Sequence, residues 1–207
     1  MTCSEPARTT TGRLPGGLVT TTRRIRRTLA AGPRVVIAAV VKALGYRLVR
    51  VQYHGTLGEA DGAVPRGTTV FDDEVPAVAN LDPALLGALR EAAKDAANDG
   101  VEFFVNSGWR SPEYQNRLRR EAVSRYGSEK EAARWVATPG TSPHVSGNAV
   151  DIGPSEAKAW LSEHGARYGL CQIYRNEPWH YELRPEAVEH GCPPMYPDPS
   201  HDPRMRQ

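Results

Sequence analysis

Two separated segments, Ser142-Pro-His144-Val-Ser-Gly-Asn-Ala-Val-Asp151 and Glu177-Pro-Trp-His180-Tyr181, concentrate two histidines and two acids at places where strand-like patterns begin. Those residue types suit a divalent cation. A catalytic zinc takes three protein ligands and keeps a fourth position for water, so His144, Asp151 and His180 fill the protein's share. Glu177 is then left to move protons. The order is not that of the helical His-Glu-x-x-His pattern, in which two histidines four residues apart share one helix face. Here Ala149-Val150-Asp151-Ile152 reads as a strand, and Trp179 to Leu183 alternates, with His180 and Glu182 on one face and Trp179, Tyr181 and Leu183 on the other. The fold must therefore bring both segments onto one small sheet.

The rest of the body is punctuated clearly. Asp82-Pro83 is a helix cap with proline at the first helical position, followed by Leu85, Leu86, Leu89, Ala92, Ala93 and Ala96 on one face and a stop at Gly100. Val101 to Val105 reads as a buried strand, after which Asn106-Ser-Gly turns the chain toward Arg110. Ser111-Pro112 repeats the cap and opens a helix to Tyr126, and Ser128-x-x-Glu131 is a capping box for a shorter helix through Val136. Ala137 to Pro143 is a loop that delivers His144. Ser155 opens another helix ending at Gly165. Leu170 to Tyr174 and Trp179 to Leu183 form two strands joined tightly by Arg175 to Pro178, and Pro185-Glu186 begins a last short helix before an irregular, proline-rich tail. Helices grouped against a small, mostly antiparallel sheet define an α+β fold.

Taken together, Ser142-Pro-His144-x6-Asp151, Glu177-Pro-Trp-His180 and the earlier Ser107-Gly-Trp109-Arg110-Ser-x3-Gln115 resemble the zinc D-Ala-D-Ala peptidase family, over roughly residues 67 to 195. The likeness is greatest to the VanY-type D,D-carboxypeptidases of actinomycetes, with the VanX-type D,D-dipeptidases as relatives. The resemblance implies a zinc metallopeptidase with one Zn2+ per chain that removes the terminal D-Ala from peptidoglycan precursors ending in D-Ala-D-Ala. It also implies a role in glycopeptide (vancomycin-type) resistance. Glu177 would be the general base for the attacking water and then the acid for the departing amine. Arg110 would stabilise the tetrahedral oxyanion, a contact worth about 3 kcal/mol when one donor is removed. Ser142 and Gln115 match positions that hydrogen-bond substrate, but a turn residue before Pro143 and a solvent-facing helical glutamine are equally open readings. Trp109 and Trp179 are pocket walls or simple packing. Two rival functions stand beside the first: a D,D-dipeptidase or dual-activity enzyme acting on free D-Ala-D-Ala, and an inactive metal-bearing domain that only binds cell wall.

Charge divides the chain. Of the 207 residues, those from Arg8 to Arg50 include ten arginines and lysines and no acid, so the remainder is net acidic although the whole carries only +2. That balance is too mild for nucleic acid. Within the basic stretch lies Val35-Val36-Ile37-Ala38-Ala39-Val40-Val41, well short of the roughly 18 apolar residues of a spanning helix. Residues 1–52 are therefore expected to be a membrane anchor or export signal, with an amphipathic helix or basic tail as alternatives. Residues 53–76, glycine-rich and without apolar periodicity, read as a linker, and residues 77–207 as the catalytic domain. A Cys171–Cys192 bridge would close a loop of about 20 residues, contribute about 3 kcal/mol and require an oxidising compartment. Two buried free thiols are the alternative. With the bridge, the body belongs on the extracytoplasmic face of the membrane.

Overall fold

The computed structural model describes residues 56–205, and the expected anchor or export signal in residues 1–52 lies outside them. Among the described residues no helix is long and apolar enough to cross a membrane.

The longest helix begins where Asp82 accepts hydrogen bonds from the backbone nitrogens of Ala84 and Leu85, at 2.9 and 3.1 Å. A short turn, α1 (Pro76–Ala79), precedes it, and α2 runs Pro83–Asn98. Leu85, Leu89, Ala92, Ala93 and Ala96 form its buried face and pack with Val105, Val150, Ile152, Leu161 and Tyr181. Burying a leucine-sized side chain contributes about 1.5–3 kcal/mol, so this stripe fixes α2 against the sheet.

Four antiparallel strands make that sheet: β1 (Phe104–Ser107), β2 (Ala149–Gly153), β3 (Leu170–Gln172) and β4 (His180–Leu183), in the order β1-β2-β4-β3. Register matters more than length here. Asp151 lies directly opposite His180, and Ala149 opposite Glu182. Val150, Ile152 and Tyr181 fill the core face, so Asp151, His180 and Glu182 emerge together on the other. A one-residue slip would turn the ligands into the core and the core residues outward.

The remaining helices are α3 (Pro112–Tyr126), α4 (Glu129–Ala132), α5 (Ser155–His164) and α6 (Ala187–His190), and α5 adds Ala157, Trp160 and Leu161 to the core that α2 shares with the sheet. Ser111 caps α3 through its hydroxyl, which accepts from the Tyr114 nitrogen at 3.0 Å. Ser128 caps α4 in the same way at 3.2 Å. A disulfide joins Cys171 on β3 to Cys192 beyond α6.

The structure departs from the sequence expectations in four places. The first strand starts at Phe104 rather than Val101, because the Val101 nitrogen is still bonded to the Ala96 carbonyl as α2 ends. Ser128, whose hydroxyl accepts from the Glu131 nitrogen without the reciprocal bond of a capping box, opens only one helical turn. The β3–β4 connection is wider than a tight hairpin, since Tyr174 pairs with Tyr196 instead of continuing along β4. Finally, the described part of the expected linker is folded onto β1. Val70 is fully buried, the Val105 nitrogen donates to the Thr68 carbonyl at 2.8 Å, and the Ser111 nitrogen donates to Asp61. Val64, Val70 and Val75 supply anchoring surface that a periodicity search over a glycine-rich stretch does not register.

Candidate metal centre

His144 reaches the sheet from the loop before β2, Asp151 from the middle of β2 and His180 from the first position of β4. All three are buried. His144 Nε2 lies 3.4 Å from Asp151 Oδ1, His180 Nδ1 lies 3.3 Å from the same oxygen, and the two ring nitrogens are 3.3 Å apart. Ligands at zinc distances in a tetrahedral arrangement stand about 3.4 Å from one another, so the three atoms already form one face of such a tetrahedron.

The opposite ring nitrogens settle which atoms carry lone pairs. His144 Nδ1 is 2.8 Å from the carbonyl of Gly108, and His180 Nε2 is 3.2 Å from Glu182 Oε1. A carbonyl and a carboxylate accept, so both ring nitrogens donate, and His144 Nε2 and His180 Nδ1 are left as ligand atoms. Asp151 Oδ1 is buried with no hydrogen-bond donor. Three acceptor atoms turned inward at this spacing are stabilised by a shared cation, and two imidazoles with one carboxylate suit zinc.

Gly108 is fixed by close approach. A Cβ there would stand 2.0 Å from the Ala77 carbonyl oxygen, so any side chain would push away the segment whose carbonyl orients His144. Gly147, at φ +76°, has the left-handed backbone that returns the His144 loop toward β2.

Charge follows from these contacts. Burial alone would raise the Asp151 carboxyl, but His144, His180 and Arg110 together hold it well below the usual range. Burial lowers His144, and Arg110 adds to the effect. For His180 burial also lowers the pKa, yet the adjacent carboxylates of Asp151 and Glu182 favour the protonated ring, outweigh burial and push it up to about 9. The carboxylates that attract a proton there attract a dication equally, so protonation and metal binding compete. Glu177 is the opposite case, since burial pushes it up to about 7 against the lowering influence of His180 and Arg110. It sits between two successive turns, Tyr174 to Glu177 and Glu177 to His180, with Oε2 3.7 Å from His180 Nδ1.

Arg110 is tied down on three sides. Nη2 donates to Asp151 Oδ2 at 2.9 Å, Nη1 to Gln115 Oε1 at 3.1 Å and Nε to Ser107 Oγ at 2.7 Å. Of five N–H donors, two remain for a substrate. Gln115 is buried on α3 and its amide nitrogen donates to the Ala137 carbonyl at 2.9 Å, so its polar atoms serve to hold Arg110.

A cleft of about 500 Å³ opens over these groups, lined by Arg110, Ser142, Glu177 and Trp179 and extending along α3 to Arg125 and Tyr126. Ser142 Oγ is buried in it without a partner. Trp109, expected as a wall, is not among the lining residues; its nitrogen bonds the Ala77 carbonyl. Arg110, the next residue, turns its guanidinium to Asp151. Sequence reading missed three contributors. Glu182 was detectable, two residues after His180 on the same strand face, whereas Tyr174 and Arg204 carried no local signal.

The chain is similar to several known proteins. A curated D-alanyl-D-alanine carboxypeptidase of Enterococcus faecalis (strain V583) is 33% identical over 139 residues, 54% of this chain and 52% of that protein. The chain thus spans about half the length of that relative. Among solved structures, VanYB in complex with D-alanine-D-alanine is 32% identical, with 54% of this chain and 74% of that one covered and a TM-score of 0.49. A mutant VanY D,D-pentapeptidase from a VanB-type resistance cassette, in complex with Zn(II), is 33% identical, with 50% and 72% covered and a TM-score of 0.47. The family model described as VanY, D-alanyl-D-alanine carboxypeptidase, matches residues 79–186, a span that holds His144, Asp151, His180, Glu177 and Arg110. With that match over half its length, the chain belongs to the VanY family of D-alanyl-D-alanine carboxypeptidases.

Proposed function

We propose that the chain is a zinc-dependent D,D-carboxypeptidase that removes the terminal D-alanine from peptidoglycan precursors ending in D-Ala-D-Ala. The observation that carries this reading is the triangle of His144 Nε2, Asp151 Oδ1 and His180 Nδ1, with Glu177 at its margin. Family membership supports the substrate. His144, Asp151 and His180 would hold one zinc ion per chain, which when bound would supply Lewis acidity to the attacking water and the scissile carbonyl. Glu177 takes the proton of the attacking water and returns it to the departing amine. A carboxyl brought near neutrality by burial performs both transfers at similar cost. The spare N–H groups of Arg110 meet the developing oxyanion, and the Ser142 hydroxyl is free to bond the substrate backbone.

The cleft favours a longer peptide over the free dipeptide. A dipeptidase needs a carboxylate beside the substrate's ammonium group, and among the described residues the lining carboxylates are Asp151, Glu177 and Glu121. The first two are committed to metal and proton transfer. Glu121 is paired with Arg117 at 2.7 Å and stands six residues along α3 from Gln115, about 9 Å of helix rise. The disulfide supports an extracytoplasmic body, where such bridges persist, with residues 1–52 as anchor or export signal. Loss of the terminal D-alanine would remove the residue that vancomycin-type glycopeptides bind, giving resistance.

Side-by-side assays of an N-acylated peptide ending in D-Ala-D-Ala and of the free dipeptide test the reading. D-Alanine release from the acylated peptide is expected to exceed release from the dipeptide by more than tenfold in kcat/KM, and the reverse order would favour a dipeptidase. Retention of peptidoglycan without release from either substrate would mark a binding domain.

A further inference from the structure

The last residues of the described chain belong to the metal centre. Glu182 is 1% exposed and holds His180 Nε2 through Oε1 at 3.2 Å. The same oxygen accepts from Arg204 Nη2 at 3.2 Å, while Oε2 accepts from Arg204 Nη1 at 2.7 Å and from Arg184 Nη2 at 2.7 Å. Arg204 also holds Asp202, with Nε 3.1 and 3.0 Å from its two carboxylate oxygens. Asp202 in turn accepts from the Tyr174 hydroxyl at 3.0 Å, and the Tyr174 ring packs on His180 with centroids 5.0 Å apart. The contacts close into a loop that leaves the ligand imidazole at its nitrogen and returns to its face. Arg204 itself is 44% exposed, which would make an ordinary surface pair worth little. Its partners are different: Glu182 is 1% and Asp202 0% exposed, so without the guanidinium two enclosed carboxylates lose a main counter-charge.

We propose that Arg204 is a positioning residue of the metal centre, acting through Glu182 on the orientation and donor strength of His180, and that the C-terminal tail is thereby required for tight zinc binding. A planar fork bridging both oxygens of Glu182 fixes the carboxylate plane, and that plane fixes the direction in which His180 presents Nδ1. Arg184 touches only the oxygen remote from His180 and is a weaker determinant. The tail is tied elsewhere too, by Asp198 to Arg134 at 3.1 Å and by the Tyr196 nitrogen to the Ile173 carbonyl at 3.0 Å, so Arg204 is delivered on an anchored segment.

The inference rests on the metal centre and not on the identity of the substrate. The test is zinc affinity of the full chain by chelator competition, with the absorption spectrum of the cobalt-substituted protein as a report on ligand geometry. Arg204→Met is expected to weaken zinc by about 10–100-fold and to shift the cobalt bands. Glu182→Gln should do the same, and the double variant should be no more than about twofold worse than Arg204→Met, since both changes cut one pathway. Arg204→Lys keeps the charge but not the fork, so it should fold as the parent does and still bind zinc more weakly. Parental zinc affinity in folded Arg204→Met or Arg204→Lys protein overturns the inference, as do losses that multiply in the double variant. A parent chain that binds no zinc would instead refute the metal centre itself.

Discussion

Glu177→Gln is expected to lose about 10²–10⁴-fold in kcat while keeping its zinc, because proton transfer by a placed side chain contributes on that order. Glutamine preserves volume and hydrogen-bonding capacity but cannot accept the water's proton. The residue is 6% exposed and stands beside His180 rather than within the ligand triangle, which is why metal content should survive. The comparison to make is steady-state release of D-alanine against zinc content of the same preparation. Near-parental turnover would remove Glu177 from the chemistry, and loss of zinc would reassign it as a ligand.

Asp151→Ala should act on metal and fold together. It removes the only carboxylate of the triangle and leaves Arg110, 13% exposed on its side chain, without its ion-pair partner. Breaking one side of a buried pair costs about 3–5 kcal/mol, because the remaining charge stays enclosed. Zinc affinity should fall by more than the roughly 10–100-fold associated with residues behind the ligands. Chelator competition and a denaturant melt measure the two effects separately, and retained affinity would show that Asp151 is not a ligand.

Much of this site could be read before any fold was known, for a reason tied to strand geometry. Period-two alternation in β4 separates His180 and Glu182 from Tyr181 and Leu183, and the same rule separates Asp151 from Val150 and Ile152. Caps at Asp82, Ser111 and Ser128 were visible because a side-chain oxygen followed by proline or acid is a local signal. What escaped was long-range. The bond from Arg110 to Gln115 follows from how α3 sits over the loop after β1, and no spacing rule distinguishes it from a substrate contact. Arg204 lies 22 residues beyond Glu182 in a proline-rich tail, where irregular backbone hides the fact that it turns back to the sheet. Val70 was lost because the few buried side chains of its stretch, Thr68, Val70 and Val75, are too irregularly spaced to show a period.

Zinc content and reversibility bear hardest on the account. Purified chain, dialysed free of loose metal and analysed by atomic absorption, should hold about one zinc per chain. A strong chelator should abolish D-alanine release from an acylated D-Ala-D-Ala peptide, and stoichiometric zinc should restore it. Full activity in metal-free protein would contradict the role given to His144, Asp151 and His180.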